Sequence, residues 1–267
     1  MSKKSFAVLG DPISHSLSPK IHSAAYKHLK LDYSYEAIQV AAGSLEKFIN
    51  ESGATYSGFS VTMPLKFEAA AFATNSDFLG TGVCNTLVRS EANFSGYNTD
   101  VYGIQMAVKS VIRNPVKSVA ILGSGATARS AVVASLGIVG VTNITVFARD
   151  TEKAASLNEL LSGDEVSFGS SSLADFRGGF DLTINTLPAG TANSLSITHN
   201  QTGFLLSAGY STTDSDFNNQ FLSSHLIAGT EMLIWQAVQQ VKLFVELDID
   251  VNDINEAALA EVMRQAL

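Results

Sequence analysis

Apolar and polar positions along this chain follow two periods. Short runs rich in Val, Ile, Leu, Phe and Tyr read as strands at Phe6–Leu9, Tyr33–Val40, Gly58–Met63 and Thr86–Val88, with a partner strand near Phe94. Helical spacing appears over Ser18–Leu29 and Leu45–Ser52. Ser18-Pro19 predicts a helix start, with a capping hydroxyl followed by proline in the first turn. From about Val101 to Gly229 the alternation becomes regular: a helix over Val101–Val111, then strands at Val119–Leu122, Ile144–Phe147, Leu182–Ile184, Phe204–Leu206 and Leu226–Ala228. The serine-rich patch Ser167–Ser172 reads as a loop. Met232, Leu233, Trp235, Gln236, Val238, Val241, Phe244 and Val245 keep one apolar stripe on a long helix, and a short helix over Glu256–Gln265 closes the chain.

Strand alternating with helix implies a parallel sheet. The expected fold class is therefore α/β with two lobes. Residues 1–100 with 230–267 are expected to form an N-terminal α/β lobe. Residues 101–229 form a Rossmann-type, doubly wound parallel sheet, with a cleft between the lobes. Joins only near residues 100 and 230 predict hinge closure on ligand.

One junction carries chemistry. The apolar run Val119–Leu122 stops at Gly123-Ser-Gly125-Ala126-Thr-Ala128, and helical spacing resumes over Thr127–Leu136, with Gly137 as its stop signal. Gly123 permits a tight turn, Gly125 lets backbone approach phosphate oxygens, and Ala128 lets the helix pack closely on the strand. The helix N-terminus adds N–H groups and the positive end of its dipole, so the turn suits a dinucleotide pyrophosphate. The next strand ends in Ala148-Arg149-Asp150-Thr-Glu-Lys153. Arg149 and Lys153 favour the 2′-phosphate of NADP, because a guanidinium offers phosphate two parallel charged hydrogen bonds. Asp150 has two readings, a ribose ligand that would favour NAD or the N-cap of the next helix.

Composition narrows the classes. The chain has 267 residues, 46% of them hydrophobic and 16% charged, which suits one large or two modest folded domains rather than a disordered segment. A net charge of −8 disfavours nucleic acid and anionic membrane as partners. The single cysteine, Cys84, allows no intrachain disulfide and reads as a small buried residue. His15, His22, His28, His199 and His225 show no metal-ligand spacing, so no metal is expected. Lys3 and Lys4 precede only a short strand, which does not read as a secretory leader, and no apolar run reaches membrane-spanning length. A cytoplasmic location is expected.

Five blocks, in order, resemble the shikimate dehydrogenase family along nearly the whole chain. They are Leu9-Gly-Asp-Pro-Ile-Ser-His-Ser-Leu-Ser-Pro19, Ser60-Val-Thr-Met-Pro-Leu-Lys66, Asn85-Thr86, Asn98-Thr-Asp100 and Gly229–Gln236. The resemblance implies reversible NADPH-dependent reduction of 3-dehydroshikimate to shikimate. It implies Lys66 and Asp100 as the catalytic pair. Ser16, Ser18 and Tyr210 would hold the substrate carboxylate, and Thr62, Asn85 and Gln236 its ring hydroxyls. On the cofactor side it implies Gly123, Gly125, Ala126, Arg149, Lys153, Thr186, Gly229 and Met232, with Met232 against the nicotinamide. Taken singly, these residues have ordinary structural readings: Lys66 on the surface, Asp100 and Ser18 as helix caps, Met232 in the core.

Three departures stand out. Ser60 replaces the family's Asn, Ala148 replaces the Asn before Arg149, and Tyr210 lacks the Asp and Pro that flank it in the family pattern. The alternatives are a quinate/shikimate dehydrogenase using NAD and a non-catalytic dinucleotide-binding regulator. The expected partner is a small molecule, and a homodimer is a candidate assembly.

Overall fold

In the computed structural model, which describes residues 3–91, 93–161, 165–198, 203–209 and 215–267, the chain builds two six-stranded sheets. Each sheet sits in its own unit, Met1–Thr99 with Ile234–Leu267, and Asp100–Leu233.

The first unit contains β1 (Lys4–Gly10), α1 (Ser18–His28), β2 (Tyr33–Gln39), α2 (Leu45–Ser52), β3 (Gly58–Val61), α3 (Lys66–Phe72), β4 (Asn75–Asp77), β5 (Thr86–Ser90) and β6 (Asn93–Tyr97). Its sheet runs in the order β2-β1-β3-β5-β6-β4. β1 is parallel to β2 and β3, whereas β5 is antiparallel to β3 and β6. Ala7, Leu9, Phe59, Val61, Leu65, Leu87 and Phe94 are buried together and bind the sheet to its helices. β4 carries no hydrophobic signal because all three of its residues are exposed.

Two expectations for this unit need correction. Ser18 does not cap α1: it is the first residue inside the helix, Leu17 precedes it, and there is no side-chain capping bond. Instead the Ser18 N–H donates to Ser16 Oγ at 3.3 Å, so the serine two residues before the helix serves its first turn. β3 ends at Val61 rather than Met63, because Thr62 and Met63 turn out of the ladder into the loop before α3.

The second unit contains α4 (Asp100–Val111), β7 (Ser118–Leu122), α5 (Ala126–Leu136), β8 (Asn143–Ala148), α6 (Thr151–Ser156), β9 (Ser167–Ser172), β10 (Leu182–Asn185), β11 (Phe204–Ser207), α7 (Ser215–Asn218) and β12 (Leu226–Ile227). The sheet order is β12-β11-β10-β7-β8-β9, with every pair parallel. β10 is wholly buried, and β7 is buried from Val119 onward. Burial on both faces is why these strands read as unbroken apolar runs. Strand order reverses between β7 and β10, and beyond their carboxyl ends such a sheet opens a crevice for ligand.

Here the expected loop at Ser167–Ser172 is overturned. These residues form edge strand β9, in register with β8 from Asn143–Ser167 to Ala148–Ser172. Backbone pairing makes this strand, and an edge position needs no apolar side chain on its outer side.

α8 (Gly229–Val245) leads the chain out of the second unit, and α9 (Glu256–Gln265) packs on α1 in the first. Among the described residues no helix is long and apolar enough to cross a membrane.

Candidate active site

In the first unit the site is built at the carboxyl ends of β1 and β3. Gly10 ends β1, and a Cβ there would run into Thr62 Cγ2 and come within 2.9 Å of Met63 O. The missing side chain lets the two loops touch, and Asp11 N–H donates to Met63 O at 3.0 Å. One loop carries half-buried Ser16 and buried Ser18 into α1; the other carries half-buried Thr62. Leu65 N–H donates to Thr62 O at 2.9 Å, closing the turn from which half-buried Lys66 opens α3.

Asn85 precedes β5 and is 2% exposed. Its Oδ1 accepts from Thr99 N–H at 2.9 Å and from the Thr86 hydroxyl at 2.8 Å. Its Nδ2 donates to Thr99 Oγ1 at 2.9 Å and lies 3.5 Å from Gln236 Oε1. The Thr99 backbone N–H can only donate, which settles which end of the amide is Oδ1, and the Thr86 hydroxyl adds a second bond there, so Asn85 is held as a donor through Nδ2. The fold thus gathers Asn85 and Gln236 from distant positions and seats Thr99 between them. Asp100, the next residue, is buried as the first residue of α4. Tyr210 lies outside the described residues.

Behind Asn85 runs a polar chain that the sequence reading missed. Tyr35 OH donates to Ser60 Oγ at 2.6 Å, and Ser60 OH donates to Gln240 Oε1 at 2.8 Å. Gln240 Nε2 donates to Asn85 O at 3.1 Å and to Thr86 Oγ1 at 3.0 Å. His22 stacks on Tyr35 and shares a hydrogen bond between Nδ1 and Ser18 O at 2.9 Å. Burial pushes the His22 pKa down to about 4 and the Tyr35 phenol well above its ordinary value. The available signal was the pair Gln236 and Gln240, one helical turn apart on the apolar helix α8.

In the second unit the glycine turn sits at the switch point. Gly123 has φ +113°, and its N–H donates to Phe147 O at 2.8 Å. A Cβ at Gly123 would stand 2.6 Å from Thr186 Oγ1, whose hydroxyl donates to Leu122 O at 2.7 Å. At Gly125, which precedes α5, an added Cβ would meet nothing within 4 Å. Ala126 opens α5, and Ala128 is fully buried. Gly123 is therefore required by the protein itself, whereas the open space over Gly125 fits a ligand that needs close backbone approach.

Arg149 follows β8 and is exposed, as is Lys153. Asp150 Oδ1 accepts from Lys153 N–H at 2.9 Å, so its carboxylate is the N-cap of α6. Of its two readings, the cap is the one the coordinates display. Arg149 also lines a cavity of about 720 Å³ together with Ser172, Leu173, Arg177 and Thr191. Gly229 opens α8 where a Cβ would collide with Ser207 O. Met232 is 6% exposed and belongs to this unit's hydrophobic core with Val101 and Ile227. Among the described residues no cluster of His, Cys, Asp or Glu could hold a metal ion.

These features define a Rossmann-type α/β protein carrying a buried, hydroxyl- and amide-lined polar site. Residues 8–87 match the shikimate dehydrogenase substrate binding domain. A shikimate dehydrogenase (NADP(+)) from Nitrosopumilus maritimus is 31% identical over 269 residues, which cover 96% of this chain and 98% of that protein. The crystal structure of Mycobacterium tuberculosis shikimate dehydrogenase matches with a TM-score of 0.82 at 33% identity, over 98% of each chain. A shikimate 5-dehydrogenase from Thermus thermophilus, solved in complex with NADP(H) and shikimate, matches with a TM-score of 0.81 at 25% identity, over 99% of this chain and 100% of that one. The chain belongs to the shikimate dehydrogenase family.

Proposed function

We infer that this protein catalyses the reversible, NADP-dependent interconversion of 3-dehydroshikimate and shikimate. The observation that carries the reading is the Asn85–Thr99–Gln236 cluster, a buried set of amides and a hydroxyl suited to ring hydroxyls, in a chain of this family. Reduction places a hydride on the ketone carbon and a proton on its oxygen. When bound, NADPH supplies the hydride. The Lys66 ammonium stabilises negative charge on the oxygen and donates the proton, and Asp100 orients that ammonium and shares its proton. Thr62, Asn85 and Gln236 bind ring hydroxyls, and Ser16 and Ser18 bind the carboxylate. Fixing the ring this way brings the carbonyl to Lys66 in one orientation.

The second unit suits the dinucleotide. Gly125 and Ala126 offer backbone N–H groups at the start of α5 for the pyrophosphate, and Gly123, whose own N–H is committed to Phe147 O, supplies the turn that presents them. Arg149 and Lys153 take the 2′-phosphate, while Asp150, engaged as a cap, leaves the ribose edge to those cations. Thr186, Gly229 and Met232 are assigned to the nicotinamide side.

The deciding experiment is a matrix of initial rates with shikimate and quinate, each with NADP and NAD. The highest kcat/KM is expected for shikimate with NADP. A large preference for quinate with NAD would replace this reading by its quinate-oxidising relative, and no turnover in any cell would leave a dinucleotide-binding regulator.

A further inference from the structure

The polar chain from Tyr35 to Asn85 has a direction. Tyr35 gives its proton to Ser60 and Ser60 gives its own to Gln240. Gln240 then gives one amide N–H to Thr86 Oγ1, which commits the Thr86 proton to Asn85 Oδ1. Every member is buried: Tyr35 is 8% exposed, Ser60 4%, Gln240 1% and Thr86 0%. Strands β2, β3 and β5 and helix α8 each contribute, so no single element holds the chain in place. Buried hydrogen-bond chains polarise their members and leave each group one satisfying orientation. Had Thr86 instead donated toward Gln240, Asn85 Oδ1 would lose one of the two donors that fix its amide.

We propose that Gln240 and Thr86 are positioning residues: together they lock the Asn85 carboxamide so that Nδ2, not Oδ1, serves the ligand. Gln240 sets the Thr86 proton, Thr86 holds Oδ1, and Nδ2 remains the donor of the site. The group Asn85 meets must then accept a hydrogen bond, which a ring hydroxyl oxygen does. Ser60 works from the other end, since its hydroxyl occupies Gln240 Oε1 and leaves Nε2 to face Asn85 and Thr86. This assignment of the ligand group rests on the reading of the site as a shikimate pocket; the locking of the amide does not.

The test compares Gln240→Met, Thr86→Val and Thr86→Ser with wild type, alongside Leu45→Ala as a core truncation elsewhere in the same unit. Gln240→Met and Thr86→Val should raise the KM for shikimate by up to about tenfold, while kcat and the KM for NADP stay within about twofold. Thr86→Ser keeps the hydroxyl and should restore wild-type KM. Leu45→Ala should lower thermal stability without moving the KM for shikimate, which separates positioning from general loosening. An independent readout is deuterium exchange of the Asn85 side-chain amide in 15N-asparagine-labelled protein, its signal identified by its loss in Asn85→Ser. Exchange should speed up in Gln240→Met and Thr86→Val and remain slow in Thr86→Ser. Unchanged exchange in both disrupting variants overturns the proposal, as does an unchanged KM for shikimate. Should wild type fail to turn over shikimate, the functional reading falls, and amide exchange still decides the locking.

Discussion

The imidazole of His22 lies almost flat on the phenol of Tyr35, with ring centroids 4.0 Å apart and planes inclined by 16°. Both residues are buried, and His22 is 0% exposed. A charged imidazolium there would lose its hydration, which is why the His22 pKa falls from the ordinary 6.5 to about 4, against the opposing pull of its hydrogen bond to Ser18 O.

Stability should therefore fall on mild acidification. In the unfolded chain the imidazole takes up a proton below pH 6.5, whereas in the folded protein it does so only near pH 4. Between those values the unfolded state binds more protons, so acid favours it. The contribution is fully present above pH 6.5 and is lost as pH falls toward 4, to a total on the order of 3 kcal/mol. Urea unfolding midpoints measured across this range check the slope. His22→Phe keeps an aromatic ring against Tyr35 and should flatten it. An equally steep slope in that variant would sink the assignment to His22.

The two glycines of the α5 turn should separate cleanly on substitution. Gly123→Ala places a Cβ at φ +113° and 2.6 Å from Thr186 Oγ1, so it should lower stability by about 1–3 kcal/mol even without cofactor. Gly125→Ala has φ −85° and open space, so the free protein should melt as wild type does. Its dissociation constant for NADP should nonetheless rise at least about tenfold, because the added methyl stands in the space proposed for the phosphate oxygens. Calorimetry for melting and fluorescence titration for binding check the pair. Wild-type NADP affinity in Gly125→Ala would remove the turn from the cofactor site.

Cofactor choice should follow Arg149 rather than Asp150. Arg149→Ala should lower kcat/KM with NADP by about tenfold to a hundredfold and leave the rate with NAD nearly unchanged. Asp150→Asn keeps an oxygen that can accept from Lys153 N–H, so it should alter neither helix α6 nor the ratio of NADP to NAD rates. A selective loss of NAD activity in Asp150→Asn would show that its carboxylate serves the ribose after all.

How far the sequence reached can be judged from β7 and β9, which lie two places apart in one sheet. β7 is buried from Val119 onward and ends at a glycine that needs positive φ, so both its strand and its turn were legible. β9 is made of serines, phenylalanine and glycine at an edge, where main-chain pairing alone decides, and it read as a loop. β4 and α3 left equally little trace, the first because it is wholly exposed, the second because it is short and buries little beyond Ala69. The site shows the same division. Asn85 and Gln236 came from motif blocks, whereas Gln240, Ser60 and Tyr35 form a chain across β2, β3 and α8 that no local pattern encodes. Gln240 is a buried polar residue one turn beyond Gln236 on α8, and its partners lie on strands distant in sequence.

Lys66 bears the chemical step in the proposed reaction, and its position makes the test clean. It is half-buried at the first residue of α3, where alanine is a good helix former, so Lys66→Ala should fold with wild-type stability. Without the ammonium, the oxygen that gains negative charge as hydride arrives has lost its proton donor. Turnover with shikimate and NADP should then drop by about a hundredfold to ten-thousandfold, the usual worth of a positioned acid or base. NADP affinity should hold, because the residues proposed to bind its phosphates all lie in the other unit. Steady-state kinetics paired with an NADP titration measures both. Undiminished turnover in Lys66→Ala would move the proton transfer to another residue, and a parallel loss of NADP binding would recast Lys66 as a cofactor ligand.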